Sequence, residues 1–469
     1  MRPCCVDRLT DLPYELLAQI LSMLPTKDAA ATQLVSKRMK QAFCWISTID
    51  LDDSPESHCV KRPNLVERFA LFESFVDNVL HKLSRSQQSL TRFRLRMGLD
   101  KTIIYLCSCV FNTRLPCKEA RFPEPARLYA WISYPLAHCG LRELDLSCHL
   151  KNPAECKLPP EIFARQSLQV LKLDINVEIN GETEIPVICL PNLKLLNLRS
   201  FVFTEDDFVT RLVSNCPVLE DLAITCWWLK ADRLIISSHS LRKFVFIIRK
   251  YHHEDKNSDL VLIDTPNLQY FDYFGNLPYK YSITNLNALD EAEIDVDYPL
   301  VNETLEDSFR TQLSLARALS NVERLSLHGY FVEILYIAGV LEDQQLPVFR
   351  NLRTLKMTAL LNTYCYARWD ILLLLILHCA PLLEQLFFPQ GFFEHGFTCV
   401  SDYPEVLEVA ALEANGWRKT QTIPSCCQSH LKRILIKRCC GSDREVNMIK
   451  FLLGNASILT EFVILCNPA

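Results

Sequence analysis

Residues 141–146 read LRELDL, residues 168–173 read LQVLKL and residues 193–198 read LKLLNL. In each, an apolar residue is followed by two variable positions, an apolar one, a variable one and an apolar one. The spacing recurs as LEDLAI from Leu219, LRKFVF from Leu241 and LQYFDY from Leu268. From Leu141 to Leu268 the first residues lie 27, 25, 26, 22 and 27 positions apart. Further copies are VERLSL from Val322, LRTLKM from Leu352, LEQLFF from Leu383, LKRILI from Leu431 and LTEFVI from Leu459. LTRFRL from Leu90 fits well and LDEAEI from Leu289 weakly. Side chains alternate along a strand, so the fourth and sixth positions share one face and the third, fifth and seventh the other. A lone strand of this kind cannot bury its apolar face. Stacked units form a parallel sheet, and the about 15 residues between strands return over the outside as helix or loop.

This period and strand signature are those of leucine-rich repeats. The expected fold is α/β: a short N-terminal helical module, then an irregular solenoid with a parallel sheet on its concave face. Later spacings of 21, 33, 30, 31 and 48 make the array uneven. Repeat arrays need caps. At the start, Phe69, Phe72, Val76, Val79, Leu80 and Leu83 recur at helical spacing and are expected to cover the first strand. At the finish, the strand of Leu459, Phe462 and Ile464 is expected to close the sheet. LPCKEARFPEPAR (Leu115–Arg127) and the polar run His252–Asp259 read as loops, and VLEVAALEAN within Gln390–Pro424 as a helix.

Composition narrows the function. The 469 residues are 49% hydrophobic and 22% charged, which excludes wholesale disorder. A net charge of −5 gives no general pull toward nucleic acid or anionic membrane. Only 11 glycines leave few places for phosphate-cradling loops. No GxG pair, P-loop lysine, HExxH, GxSxG or CxxC is present. No cofactor or metal is expected. Asp7 and Asp11 stand where a signal peptide carries its apolar core, and the longest apolar run is the seven residues Ile371–Leu377. With 21 cysteines, an odd count, reduced thiols in the cytosol or nucleus are the expectation.

Two constellations have bland readings. His138-Cys139, Cys216-Pro217 and His378-Cys379 each precede a strand, and their recurrence marks cysteine as a small buried residue at the turn. Arg92, Arg94 and Arg96 alternate on one strand, which reads as a charged exposed face rather than a phosphate site.

Residues 7–46 lack the repeat. Leu16, Leu17, Ile20, Leu21 and Leu24 recur at helical spacing after Pro13, Pro25 ends that helix, and Thr26 is placed to cap the next. A module of about 40 residues buries a poor core, so its apolar side chains are left for a partner or for its own repeats. The wording DRLTDLPYELLAQILSMLPTKDAAATQLVSKRMK resembles the plant form of the F-box motif. The matching residues are Asp7-Arg8, Leu12-Pro13, Leu16, Ile20-Leu21, Leu24-Pro25-Thr26-Lys27-Asp28 and Ser36-Lys37-Arg38. The family carries Trp after Lys-Arg and again four residues later, where this chain has Met39 and Phe43. From Trp417 onward, IPSCCQSHLKRILIKRCCGSDREVNMIKFLLGNASILTEFVI is similar to the FBD module, with Val446, Ile449, Leu452 and Leu453 on one helix face.

The resemblance implies an F-box at 5–48, repeats with a helical N-terminal cap at 60–420 and FBD-like repeats at 421–469. It implies a non-catalytic target-recognition subunit of an SCF-type ubiquitin ligase, in which Leu12, Pro13, Leu16, Ile20, Leu24 and Val35 bind the SKP-type adaptor and, through it, the cullin. The alternative is a repeat scaffold that joins no ligase; a cysteine-dependent hydrolase is a third reading. A protein target is expected on the concave face. The candidate positions are Lys243, Val245 and Ile247, then Tyr270, Asp272 and Phe274, then Glu291, Glu293 and Asp295, an apolar and aromatic patch bordering an acidic one.

Overall fold

The computed structural model describes residues 9, 11–53, 65–85, 89–97, 123–148, 158–179, 187–203, 207–229, 233–248, 260–275, 280–284, 286–296, 305–328, 331–332, 335, 346–358, 369–392, 422–439, 441 and 443–466. Two compact units result, Met1–Leu229 and Lys230–Ala469. The expected loop at His252–Asp259, the VLEVAALEAN helix and most of the Leu115–Arg127 loop lie outside the described residues. Within that last stretch, Pro125 opens a helix instead, with its fixed φ at the first helical position.

The first unit begins with α1 (Tyr14–Ser22), α2 (Thr26–Ala31) and α3 (Lys37–Ala42). Then follow β1 (Thr48–Asp52), α4 (Leu65–Leu83), β2 (Arg92–Arg96), α5 (Pro125–Leu136), β3 (Glu143–Cys148), β4 (Val170–Ile175), β5 (Glu178–Ile179), β6 (Leu195–Phe203), α6 (Phe208–Ser214) and β7 (Asp221–Leu229). Parallel pairing runs β1-β2-β3-β4-β6-β7, and β5 pairs the end of β6. The parity is that of the motif: Leu144 and Leu146, Leu171 and Leu173, Leu196 and Leu198 are buried, while Glu143, Asp145 and Lys172 on the other parity are half-buried.

The sheet starts one strand earlier than the sequence reading placed it. Ile46, Ile49 and Leu51 carry the repeat spacing inside the helical module, all three are buried, and β1 pairs β2 in register from Thr48↔Arg92 to Asp52↔Arg96. Thr26 does not cap α2; Pro25 occupies that position. The Thr26 hydroxyl, 1% exposed, accepts from Asp50 N at 2.7 Å, and Ser22 Oγ accepts from Ser47 N at 3.1 Å. The helices are thus fastened to the first strand by two hydroxyls. In α4, Phe72, Val76, Val79, Leu80 and Leu83 are buried and Phe69 half-buried. Arg68 pairs with Asp53 at 2.9 Å, just past β1, and Trp131 Nε1 of α5 donates to Asp77 at 2.7 Å.

The second unit comprises β8 (Arg233–Ser237), β9 (Lys243–Ile248), β10 (Leu260–Asp264), β11 (Tyr270–Gly275), β12 (Lys280–Thr284), β13 (Glu291–Val296), α7 (Leu305–Ala318), β14 (Arg324–His328), β15 (Thr354–Thr358), α8 (Trp369–Cys379), β16 (Gln385–Phe388), α9 (Ser425–Ser429), β17 (Arg433–Cys439), α10 (Asp443–Asn455) and β18 (Glu461–Cys466). Its main parallel sheet runs β9-β11-β13-β14-β15-β16-β17-β18. The weak copy from Leu289 is a full member, with Ala292 and Ile294 at 0% exposure. Between residues 233 and 284 the returning segments are strands, not the expected helix or loop: β8, β10 and β12 form a second parallel sheet. The physical reason is two short apolar runs rich in strand-forming residues, RLIIS and LVLID, in which Leu234, Ile236, Val261 and Ile263 are each 1% exposed or less.

Two expectations at the C-terminal end are corrected. The buried face of α10 is Glu445, Met448 and Leu452, with Val446 and Ile449 half-buried and Leu453 51% exposed. And β18 pairs β17 as the last strand but does not seal the apolar side, since Ile464 stays 38% exposed on it.

Successive repeats are tied at one recurrent point. Both N–H groups opening a strand donate to one carbonyl of the previous repeat, as Gln269 N and Tyr270 N do to Arg242 O at 2.8 and 3.1 Å. The residue just before the motif's first leucine adds a side-chain bond backward. Asn192 Nδ2 donates to Gln166 O at 2.9 Å, Asn267 Nδ2 to His239 O at 2.7 Å and Ser167 Oγ to Leu141 O at 2.6 Å. We expect Asn267→Ala to lower the unfolding free energy by about 1 kcal/mol, read as a lower urea midpoint. An unchanged midpoint would mean that the bond stabilises nothing.

Candidate functional site

The first candidate surface is on the N-terminal helices. The helix α1 turns Leu17, Ala18 and Leu21 inward, and Met39, Ala42 and Phe43 are buried in the same unit. Its outer side is not polar. Pro13 is exposed and Leu12 half-buried, and Leu16, Ile20, Leu24 and Val35 are 44%, 38%, 37% and 72% exposed. Of the eighteen large apolar side chains exposed among the described residues, seven fall between Leu9 and Val35. Exposed apolar side chains scattered singly need no explanation, but a cluster marks an interaction surface. Met23 and Leu34, at 85% and 92%, belong to this cluster and were not singled out from the sequence; Leu34 adjoins Val35, and Met23 follows Leu16 by seven positions, two helical turns. Met39 and Phe43, where the motif's tryptophans belong, are 5% and 0% exposed, so that departure repacks the interior and leaves the outer face alone. Arg38 ties the module's end to its start, donating to Leu12 O at 2.7 Å and lying 4.9 Å from the Tyr14 ring centre.

The second candidate surface is the open side of β9, β11, β13 and β14. Register brings the nine sequence candidates into three rows: Lys243, Tyr270 and Glu291; Val245, Asp272 and Glu293; Ile247, Phe274 and Asp295. All are half-buried except Lys243, which is exposed. The strand β14 extends the rows with Arg324, Ser326 and His328, none of them singled out from the sequence. Lys243 Nζ lies 5.3 Å from the Tyr270 ring centre. Arg324 bridges Glu291 at 2.9 Å and Asp290 at 2.5 Å, and His328 Nδ1 is 3.3 Å from Asp295. Gly275 ends β11 at φ +136°, where a Cβ would stand 2.4 Å from Ile248 O, so the close approach of β11 to β9 beside Phe274 requires glycine.

Charge on this face is unevenly neutralised. Burial and the neighbouring Glu293 push the Asp272 carboxyl up to about 6, with Lys243 opposing; burial pushes the Tyr270 phenol up to about 12. Asp272 faces Lys243, Val245 and Ile247 on one side and Glu291, Glu293 and Asp295 on the other. A folded-state value raised above the ordinary 3.8 means that the folded chain keeps a proton the unfolded chain has lost. Stability is therefore expected to fall as pH rises from about 4 to about 6. The loss is on the order of 1–2 kcal/mol, allowing for solvent screening at a half-buried site. Asp272→Asn should remove that slope and be the more stable protein at pH 7. Parallel urea midpoints for the two proteins across this window would refute the assignment.

The remaining motifs are structural, and one differs from its expected burial. Arg94 pairs with Asp50 at 3.1 Å and Asp52 at 3.3 Å, Arg96 with Asp145 at 2.9 Å and Arg92 with Glu143 at 3.1 Å, so carboxylates already occupy the arginine row. Cys216 and Cys379 are buried, and burial pushes their thiols up to about 12 and about 11, away from nucleophilic use. Cys139 is exposed, not buried, because it precedes Gly140 at the surface turn before Leu141. Among the described residues, no group of three His, Cys, Asp or Glu is placed to hold a metal ion, and no helix is long and apolar enough to cross a membrane.

Comparison with known proteins places these surfaces in a family. Family models match at residues 9–48 for the F-box domain, at 128–331 for the leucine-rich repeats of an FBD-associated F-box protein, and at 419–464 for FBD. The chain is similar to the F-box/LRR-repeat protein At3g59210 of Arabidopsis thaliana, at 31% identity over 83% of this chain and 74% of that one. It is also similar to the putative F-box/FBD/LRR-repeat protein At3g59240 of the same plant, at 30% identity over 82% of this chain and 69% of that one. A third, the putative F-box/LRR-repeat protein At3g59170 of Arabidopsis thaliana, is 30% identical over 81% of each. An exposed apolar face on an F-box, a repeat sheet and an FBD end thus stand in one chain, which belongs to the family of F-box/FBD/leucine-rich-repeat proteins.

Proposed function

We propose that this chain is the target-recognition subunit of an SCF-type ubiquitin ligase in the cytosol or nucleus. The F-box face of Leu12, Pro13, Leu16, Ile20, Leu24 and Val35 holds the SKP-type adaptor and, through it, the cullin. The repeats hold a protein target. The observation that carries this reading is the apolar outer side of α1, on a module whose inner side is already filled by Leu17, Leu21 and Phe43. The chain contributes proximity, keeping the target's lysines beside activated ubiquitin while other subunits carry the transfer. The test is co-purification of the full chain with a SKP-type adaptor and a cullin. A chain that purifies alone from cells containing both is a scaffold outside the ligase.

A further inference from the structure

We infer that the open face of β9, β11 and β13 takes a basic protein segment, extended, that presents an aliphatic or aromatic side chain two residues from a lysine or arginine. The inference deepens the proposed function, on which it rests for the existence of a protein target.

The carboxylates on the strand positions of this face are not equivalent. Glu291 is held by Arg324 at 2.9 Å and, farther along, Glu461 by Arg433 at 2.9 Å, while Asp295 lies 3.3 Å from His328 Nδ1, whose protonation burial disfavours. Asp272 and Glu293 are register neighbours and have no ion pair among the described residues. The nearby cation, Lys243, lies over the Tyr270 ring and offsets the charge of Asp272 only in part. One row of the face is therefore left with two adjacent acids and no cation, half-shielded from water, where a charge brought by a partner is worth more than at an open surface. Ile247 and Phe274 pair in the next row, two residues along the strands, about 7 Å away at the rise of a strand. An extended chain spans the same distance between residues i and i+2. That match fixes the spacing of anchor and cation. The charge complement fixes the sign.

A test that needs no known target is selection from a displayed library of random dodecapeptides on the full-length chain. We expect enrichment of an aliphatic or aromatic residue, any residue, then Arg or Lys, with either chain direction allowed. Asp272→Asn with Glu293→Gln, which keep side-chain size, should lower recovery of the selected peptides at least tenfold, and Phe274→Ser should do the same. Thermal melts of each variant confirm that the fold is kept. Enrichment of acidic or sequence-neutral peptides overturns the inference, as does undiminished recovery by the double variant. Adaptor capture is measured on the same preparations. Selection of basic peptides without adaptor capture removes the ligase reading and leaves this surface standing, and the converse removes only the surface.

Discussion

Leu16→Ala with Ile20→Ala will weaken capture of the SKP-type adaptor by roughly ten- to fiftyfold in a chain that still melts cooperatively. Full burial of one such side chain is worth about 1.5–3 kcal/mol. Leu16 and Ile20 are 44% and 38% exposed in the free chain, so roughly half of that gain remains for a partner to supply. Two side chains then contribute about 1.2–2.5 kcal/mol, and about 1.4 kcal/mol is tenfold in affinity. Leu17→Ala, three positions before Ile20 but 0% exposed, is the contrasting variant. It should cost stability by cavity formation, about 2–5 kcal/mol. Titration calorimetry of the purified pair, with melts of each variant, separates the two effects. Wild-type affinity in the double variant would show that the outer side of α1 does not meet the adaptor.

Removing residues 425–469 is expected to leave an insoluble protein. The segment supplies β17, β18, α9 and α10, and within it Cys426, Cys427, Leu431, Ile434, Ile436 and Leu452 are all at 0% exposure. It covers the edge of β16, which pairs β17 from Gln385↔Arg433 to Phe388↔Ile436. It also meets α8, where Cys426 Sγ donates to Leu377 O at 3.3 Å. Uncovering Leu386 and Phe388 along an unpaired strand edge creates the surface on which parallel sheets aggregate. A truncated chain that stays soluble and melts cooperatively would make the segment a separate appendage rather than the end of the array.

Much of this architecture was legible in the sequence, because one spacing sets both strand position and side-chain parity. That is why the nine target-face candidates fall into common rows without any structural input. What escaped was of two kinds. Ile46, Ile49 and Leu51 carry the repeat spacing, but within a segment whose helical pattern claimed attention first. RLIIS and LVLID are short continuous apolar runs, in which periodicity alone does not separate a strand from a buried turn of helix. The ion pairs of Arg324, the His328–Asp295 contact and the lack of an ion pair at Asp272 among the described residues depend on rotamers across three strands; no spacing rule reports them. The outer surface of the F-box lay between these cases. Its residues were named from a resemblance, whereas the exposure of Met23, just past α1, and of Leu34, between α2 and α3, follows only from how the helices pack.

The backward bonds at the start of each strand have a consequence for variation. The arcs between strands differ widely in length, yet every strand of the main sheet from β11 to β18 begins with the same two N–H groups closing on one carbonyl of its predecessor. Alignment is thus reset at every rung and does not accumulate error from the arcs. Lengthening one arc displaces nothing on the open face, and exchanging a third, fifth or seventh residue of one strand leaves its neighbours' alignment intact. A lineage carrying this chain can therefore rewrite its recognition surface one residue at a time, and gain or lose loop sequence elsewhere, without refitting the frame that displays it.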